Sequence, residues 1–442
     1  MSRRQRKPLP EPVVGQIESL SPEGRGVTRV DGKTVFVSGA LPGETVRFAY
    51  RRRNRRFDEA EAVEILTASP DRVEPRCAHF GTCGGCSLQH VASEAQVRLK
   101  QQALLDNLQH LGRVEAEAIY PPLTGPVWGY RRKARLGVRY VHKKGRVLIG
   151  FRERFSRYLA DMGECPVLCP EVGEQLAALA ELVAGLSIRE RIPQIEVAQG
   201  DNGTVLVLRH LEPLTEGDRA SLLAFGAQYG LRFQLQPAGP DSLEPLDGDD
   251  TPLRYHIDAG DIDIAFLPTD FTQVNPDINR QMIARALSEL APTGADHIGE
   301  FFCGLGNFTL PLARRAGRVT AIEGEAGLVA RARDNASAHH LDNIDFHVGD
   351  LATVDADAAW RRALSGCNKI LLDPPRSGAL ALLPLLGELG AERILYISCN
   401  PATLARDAGE LVHRHGYRLR KAGVMDMFPH TAHVESMALF EK

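Results

Sequence analysis

Two short stretches late in the sequence carry side chains able to make and break covalent bonds. Asp373-Pro374-Pro375-Arg376 and Ser398-Cys399-Asn400-Pro401 each follow an apolar run that reads as a β-strand. In a doubly wound sheet, ligands lie beyond the carboxyl ends of the strands, so Asp373 and Cys399 are expected to face one crevice. A cysteine taken alone is more often a small buried hydrophobe than a nucleophile. Its place after an apolar strand and before Asn-Pro is what marks Cys399 as a nucleophile. A general base is expected in Phe428-Pro429-His430-Thr431-Ala432-His433-Val434-Glu435. Glu435 is the candidate, and His430 and His433 compete because imidazole is the commonest general base.

A second chemical signal lies upstream. Glu300-Phe301-Phe302-Cys303-Gly304-Leu305-Gly306-Asn307-Phe308 follows one strand and opens a helix, and its glycines let backbone approach a ligand closely. It lacks the third glycine of a dinucleotide fingerprint and the Lys-Ser/Thr pair of a triphosphate loop, which argues against NAD and ATP. Glu323 ends the second strand, where an acid can bond both ribose hydroxyls, and Asp350 ends the third, placed for an adenine amino group. The plainer reading is that both acids cap helices. A glycine-rich turn followed by acids at two successive strand ends favours S-adenosylmethionine. With that methyl donor Cys399 has a defined use. Uracil carbon 5 is a poor nucleophile toward a sulfonium methyl, and thiolate addition at carbon 6 makes the ring enolate-like so that carbon 5 attacks. Elimination then requires loss of the carbon 5 proton to a base.

The elements that must hold these groups can be read from periodicity. After about residue 271, strands at 297–302, 319–323, 344–348, 369–373 and 393–398 alternate with helices, as in a doubly wound, Rossmann-like sheet. The last two, 417–425 and 434–440, are joined too closely for a crossover and are expected to pair antiparallel at the edge. Upstream, five short strands in residues 8–68 read as a small OB-like barrel. Residues 71–92 are rich in Cys, Gly and Pro, and a helix is expected from about Glu94 to Leu111. Strands 135–140 and 147–151 form a hairpin, and Ile195–Ala198 and Thr204–Arg209 mark more of an α+β region. The expected class is multidomain α/β. The barrel spans 8–68, a central α+β domain spans 71–92 and 124–268, and the catalytic domain spans 93–123 and 269–442.

Cys77, Cys83 and Cys86 cluster within ten residues, and Cys165 precedes Pro166 downstream. Four thiolates suit tetrahedral zinc or a [4Fe-4S] cluster, and the three-plus-one layout favours iron and sulfur. Cys169 is a rival fourth ligand. The net charge is -3, yet residues 121–160 hold eleven Lys or Arg against the single acid Glu153, and Arg51-Arg52-Arg53-Asn54-Arg55-Arg56 forms a second basic run. Aromatic residues Tyr130, Tyr140, Phe151 and Tyr158 interleave the first patch, a pattern that suits a nucleic acid better than a solvated face. No apolar run could cross a bilayer, and Met1–Lys7 is followed by prolines rather than by a signal core, so a cytoplasmic protein is expected.

The stretch from Val35 to Val46 resembles a TRAM domain, an RNA-binding barrel carried by several RNA-modifying enzymes. The segments FTQVNPDIN (Phe271–Asn279), FFCGLGNFTLPLA, DPPRSG, SCNPATLARD and FPHTAHVESMALF closely resemble the RNA uracil-C5-methyltransferase family. That resemblance implies a class I S-adenosylmethionine-dependent fold. Gln273, Phe302, Asn307, Glu323, Asp350 and Asp373 would contact the cofactor or its surroundings, with Cys399 as nucleophile and Glu435 as base. A cytosine-C5 enzyme would show a cysteine in or beside Asp373-Pro374-Pro375, and none is present. Barrel plus cysteines is similar to the branch acting on 23S rRNA, which implies a structural [4Fe-4S] cluster on Cys77, Cys83, Cys86 and Cys165. It also implies a stem-loop substrate with a flipped uridine, bound by a monomer. Another 23S rRNA uridine, a tRNA T-loop uridine, or a non-catalytic iron-sulfur RNA-binding protein are the alternatives.

Overall fold

The computed structural model describes residues 11–354 and 359–442. The basic start Met1–Lys7 and the first residues of the expected barrel lie outside them. The chain forms two compact units: one comprises residues 1–100, 152–157 and 428–433, and the other residues 101–151, 158–427 and 434–442.

In the first unit the expected five strands are six. Their order across the sheet is Val13–Gln16, Thr45–Arg53, Phe57–Thr67, Lys33–Ser38, Gly26–Val30 and Ser19–Leu20. The extra strand has two residues, too short for alternation to reveal it, and is held by pairing of Ser19 with Val27 and Leu20 with Gly26. Alternate residues point inward, so Val35, Val37, Val46, Phe48 and Ala60 form a closed apolar core. The Arg51–Arg53 end of the strand Thr45–Arg53 stays exposed. Asp71–Val91 forms turns, and the helix Ser93–Asn107 comes next, continued by a π-helical turn at Leu108–Gly112.

The second unit contains two large sheets. The central one runs Glu244–Pro245, Leu231–Gln236, Gly203–Arg209, Gln194–Gly200, Lys133–Val141 and Arg146–Gly150. Its last pair is the expected basic hairpin. A small pair, Leu253–Ile257 with Ile262–Phe266, leads into the catalytic sheet.

That sheet has eight strands, in the order Ile344–Val348, Arg318–Glu323, His297–Phe301, Lys369–Leu372, Arg393–Ser398, Glu435–Glu441, Arg418–Met425 and Ala118–Ile119. The first five are parallel, and their central members are buried on both faces, as continuous apolar runs require. Glu435–Glu441 is antiparallel to both its neighbours, as expected, but it sits inside the sheet. The edge is closed by Ala118–Ile119, a two-residue parallel strand that sequence reading missed. The order reverses at His297–Phe301 and Lys369–Leu372, which opens a crevice above their carboxyl ends.

Candidate active site

The turns that leave the carboxyl ends of the strands line the crevice. Leaving His297–Phe301, the chain turns at Phe302 (φ 65°), and the Phe302 and Cys303 N–H groups donate to the Ile322 carbonyl at 2.9 and 3.2 Å. Gly304 and Gly306 carry φ of 55° and 93°, conformations that side chains rarely adopt, which explains the two glycines of the motif. Glu323, at the end of the next strand, accepts from the Gly304 N–H at 3.1 Å and the Gly324 N–H at 2.7 Å. It therefore braces the turn as well as facing the crevice. Asp350 lies two residues beyond Ile344–Val348, exposed, accepting from Ala352 N–H and Thr353 Oγ1 at 2.9 and 2.8 Å. These bonds hold its carboxyl below the usual range.

Asn307 is fixed by Tyr255, which the sequence reading did not name, and by Asn279, which it quoted in a motif without a role. Its Oδ1 accepts from Tyr255 Oη and Asn279 Nδ2, both at 3.0 Å, and its Nδ2 donates to Asn279 Oδ1 at 2.9 Å. Asn279 belongs to the helix Pro276–Leu290, capped by the Asn275 side chain. Gln273, Tyr255, Asn279, Arg132 and Arg280 line a small cavity of about 20 Å³ beside this amide pair. Tyr255 carried no signal of this bond, because in the alternating strand Leu-Arg-Tyr-His-Ile it reads simply as an apolar, core-facing position.

The acidic side chains at these strand ends are shifted first by burial, and the charge of Asp373 acts on both Glu300 and Glu435. Loss of solvent pushes the Asp373 carboxyl up to about 7. Glu300, 1% exposed and with Oε2 lacking any hydrogen-bond partner, is pushed up to about 8 by burial, with the Asp373 and Glu323 charges adding to it. Glu435 is raised well above the ordinary carboxylate value by burial and then by Asp373. Carboxyls kept from ionising by burial and by neighbouring acids favour an approaching cation. Glu300 was quoted in the motif but not chosen as a site residue. A carboxylate inside an apolar strand was the available signal.

Cys399 follows Arg393–Ser398 and precedes the helix Pro401–His415, whose N-cap is the Asn400 side chain. Ser398 pairs with Ser436, so Cys399 and Glu435 stand at adjacent ends of neighbouring strands. The half-buried thiol is pushed up by burial and then by the Glu435 and Asp373 charges, while Arg376 opposes them. Among the described residues, Arg376 is the cation whose field favours both the Cys399 thiolate and the Glu435 carboxylate. Its backbone carbonyl accepts from Asn400 Nδ2 at 3.0 Å and Thr403 Oγ1 at 3.3 Å, which ties its loop to the nucleophile's helix.

These observations can be set beside known proteins. A family described as tRNA (Uracil-5-)-methyltransferase matches residues 254–442, and the TRAM domain matches 16–47. A relative from Methylococcus capsulatus, named 23S rRNA (uracil(1939)-C(5))-methyltransferase RlmD, is 53% identical over 442 residues, covering 100% of this chain and 99% of its own. The chain belongs to the family of these 23S rRNA uracil-C5-methyltransferases. A family member from Nitrosococcus oceani, of the same name, is 53% identical over 440 residues, covering 99% and 98%. The crystal structure of Pyrococcus abyssi tRNA (uracil-54, C5)-methyltransferase with S-adenosyl-L-homocysteine shares the fold, with a TM-score of 0.72. It covers 97% of this chain and 100% of that one at 24% identity.

Electrostatic coupling links Glu300 to Glu323 and Asp373, and Asp373 in turn to Cys399 and Glu435. His430 and His433 belong to the first unit. There His430 is 3% exposed and donates its N–H to Gln96 Oε1 at 2.7 Å.

The cysteines fall in both units. In the first, Cys77 and Cys83 are buried and Cys86 is partly exposed. The Cys77 N–H donates to Gln89 Oε1 at 3.1 Å, and the Gly85 N–H donates to Cys83 Sγ at 3.4 Å. In the second unit Cys165 is buried, and Cys169 is fully buried with its thiol pushed up to about 12 by loss of solvent. Among the described residues no group of three or more His, Cys, Asp or Glu is arranged to hold a metal ion.

Proposed function

We propose that this chain transfers a methyl group from S-adenosylmethionine to carbon 5 of a uracil in 23S rRNA, the nucleotide for which its relatives are named. The observation that carries the mechanism is the pairing of Ser398 with Ser436, which brings the thiol of Cys399 and the carboxyl of Glu435 to neighbouring strand ends.

The crevice suits the methyl donor. A sulfonium and an ammonium would offset the repulsion among Glu300, Asp373 and Glu435, and the unpartnered Glu300 Oε2 supplies a buried acceptor. Glu323 and Asp350 would meet the ribose and the adenine, and Phe302, Asn307 and Gln273 would complete the wall. When bound, S-adenosylmethionine supplies an electrophilic methyl. Cys399 adds through sulfur to carbon 6 of a flipped uracil, carbon 5 takes the methyl from the donor sulfur to leave S-adenosylhomocysteine, and Glu435 accepts the carbon 5 proton as the carbon 6–sulfur bond to Cys399 breaks. Arg376 favours the thiolate at the outset.

The RNA reading rests on the TRAM match, the exposed Arg51–Arg53 end of its sheet and the Lys133–Val141/Arg146–Gly150 hairpin. We retain the three-domain division for function: barrel 8–68, central domain 71–92 and 124–268, catalytic domain 93–123 and 269–442. We assign Cys77, Cys83, Cys86 and Cys165 to a structural [4Fe-4S] cluster on the strength of four thiolates in a three-plus-one spacing, and not on a ligand group already arranged among the described residues. The donor chemistry fits, because Cys83 Sγ already accepts an amide N–H, as a thiolate ligand does, and fully buried Cys169 is the poorer thiolate. No helix of the described residues is long and apolar enough to cross a membrane. A monomer acting in the cytoplasm, where its substrate is, accords with the reading.

The test is transfer of labelled methyl to unmodified 23S rRNA fragments and to tRNA transcripts, with the product nucleoside identified. The proposal expects 5-methyluridine in the 23S fragment alone. Label entering only tRNA would overturn the substrate, and label in any other nucleoside would overturn the chemistry.

A further inference from the structure

The loop joining Arg418–Met425 to Glu435–Glu441 begins and ends in the catalytic sheet, where Met425 pairs with Glu435. Between them, residues 428–433 are built into the first unit. The Ser87 and Leu88 N–H groups both donate to the His430 carbonyl at 2.9 Å. The His430 N–H donates to Gln96 Oε1 at 2.7 Å, and the Ala432 N–H donates to Ser87 Oγ at 3.0 Å. Lys100 Nζ donates to the Phe428 carbonyl at 2.9 Å. Ala432 also packs on the apolar cluster of Leu41, Leu88, Val91 and Ala95. His430 is held at φ 67°, a conformation a non-glycine residue keeps only when its surroundings impose it. Five hydrogen bonds and an apolar contact thus fix this loop, the last of them at Ala432, three residues before Glu435.

We infer that Ser87 and Gln96 are positioning residues for Glu435: they act through the 428–433 loop to fix the carboxyl that removes the carbon 5 proton. The inference rests on the reading of Glu435 as that base. In the step concerned, the carbon 5 proton passes to the Glu435 carboxylate, its bonding electrons re-form the carbon 5–carbon 6 double bond, and the carbon 6–sulfur bond breaks to return the thiolate to Cys399. The earlier steps, sulfur addition and methyl transfer, do not use Glu435. Loosening the loop therefore has a signature that general damage lacks: the reaction halts after methylation, with RNA still attached to the protein.

The experiment uses the full chain with a 23S rRNA fragment and labelled S-adenosylmethionine. Free 5-methyluridine product and the SDS-stable protein–RNA complex are both measured, in Gln96→Ala, Gln96→Glu, Ser87→Ala and Glu435→Gln. Glu435→Gln is expected to accumulate methylated complex. Gln96→Ala and Ser87→Ala are expected to lose tenfold or more in turnover while accumulating the same complex, with the KM for S-adenosylmethionine unchanged. Gln96→Glu keeps the acceptor for the His430 N–H but sets an oxygen against the Val91 carbonyl, to which Gln96 Nε2 donates at 2.9 Å, so it too should lose turnover and accumulate methylated complex. Should Gln96→Ala fail to fold, Ser87→Ala, at a partly exposed site, carries the test. Loss of product and complex in parallel, or wild-type turnover in both alanine variants, overturns the inference. Absence of complex in Glu435→Gln instead removes the base assignment, and the inference with it.

Discussion

The chemistry of single residues makes two predictions. Cys399→Ala should abolish methyl transfer while binding of S-adenosylhomocysteine is retained, since the cofactor's expected contacts lie on other strands; calorimetry beside the transfer assay checks both, and residual turnover would exclude the thiol as nucleophile. The second concerns protons. Asp373 and Glu300 titrate near 4 in an unfolded chain but at about 7 and about 8 in the folded protein. Between those limits the folded state binds more protons than the unfolded one, so stability is greatest at the acid end and falls as pH rises from about 4 through about 8. The empty protein should therefore melt at a lower temperature at pH 8.5 than at pH 5.5. S-adenosylmethionine should reduce that difference more than S-adenosylhomocysteine, which lacks the sulfonium charge. Scanning calorimetry at the two pH values, with each ligand, decides it, and a melting temperature that rises over this window would refute the buried-acid account.

Among the elements, the loop following Asp373 ties the crevice to the helix behind it. Gly378 has φ 78°, and a Cβ there would come within 2.6 Å of Asp407 Oδ2. That oxygen already accepts from Tyr396 Oη at 2.7 Å and the Ala379 N–H at 2.8 Å. Gly378→Ala should cost about 1–3 kcal/mol of stability and slow alkylation of Cys399, because Arg376 shifts with its loop. Denaturant unfolding and iodoacetamide kinetics measure these effects. Tyr255→Phe removes one bond from Asn307, worth about 1 kcal/mol, and should raise the KM for S-adenosylmethionine severalfold with kcat little changed. Sequence reading found the parallel strands well, because fully buried strands leave long apolar runs and the acids and thiol at their ends are chemically conspicuous. It missed Ser19–Leu20 and Ala118–Ile119, which have two residues each and exist only through their partners. It missed Tyr255 and the Asn279–Asn307 pair for a related reason, since a side-chain amide contact across many residues has no periodicity. The fixing of the 428–433 loop was equally hidden, as hydrogen bonds made through the loop's own backbone N–H and carbonyl groups leave no mark on its residue types.

At the scale of the molecule, a net charge of -3 coexists with concentrated basic surfaces. Affinity for 23S rRNA fragments should therefore fall steeply with salt, and replacing Arg52 and Arg53 by Gln should flatten that slope while leaving cofactor affinity intact. Filter binding across a salt series measures it, and an unchanged slope would remove this end of the first sheet from the interface. The eight-stranded sheet carries a further consequence. Glu435–Glu441 comes after its seven companions in chain order, yet it fills a place between Arg393–Ser398 and Arg418–Met425. Until it inserts, both neighbours present unpaired backbone along one side, the kind of edge on which chains stick to one another. The nucleophile's strand can be in place while the base is still missing. A chain interrupted before this strand would thus be a source of aggregates as well as an inactive enzyme, and the half-made protein is what quality control has most reason to remove.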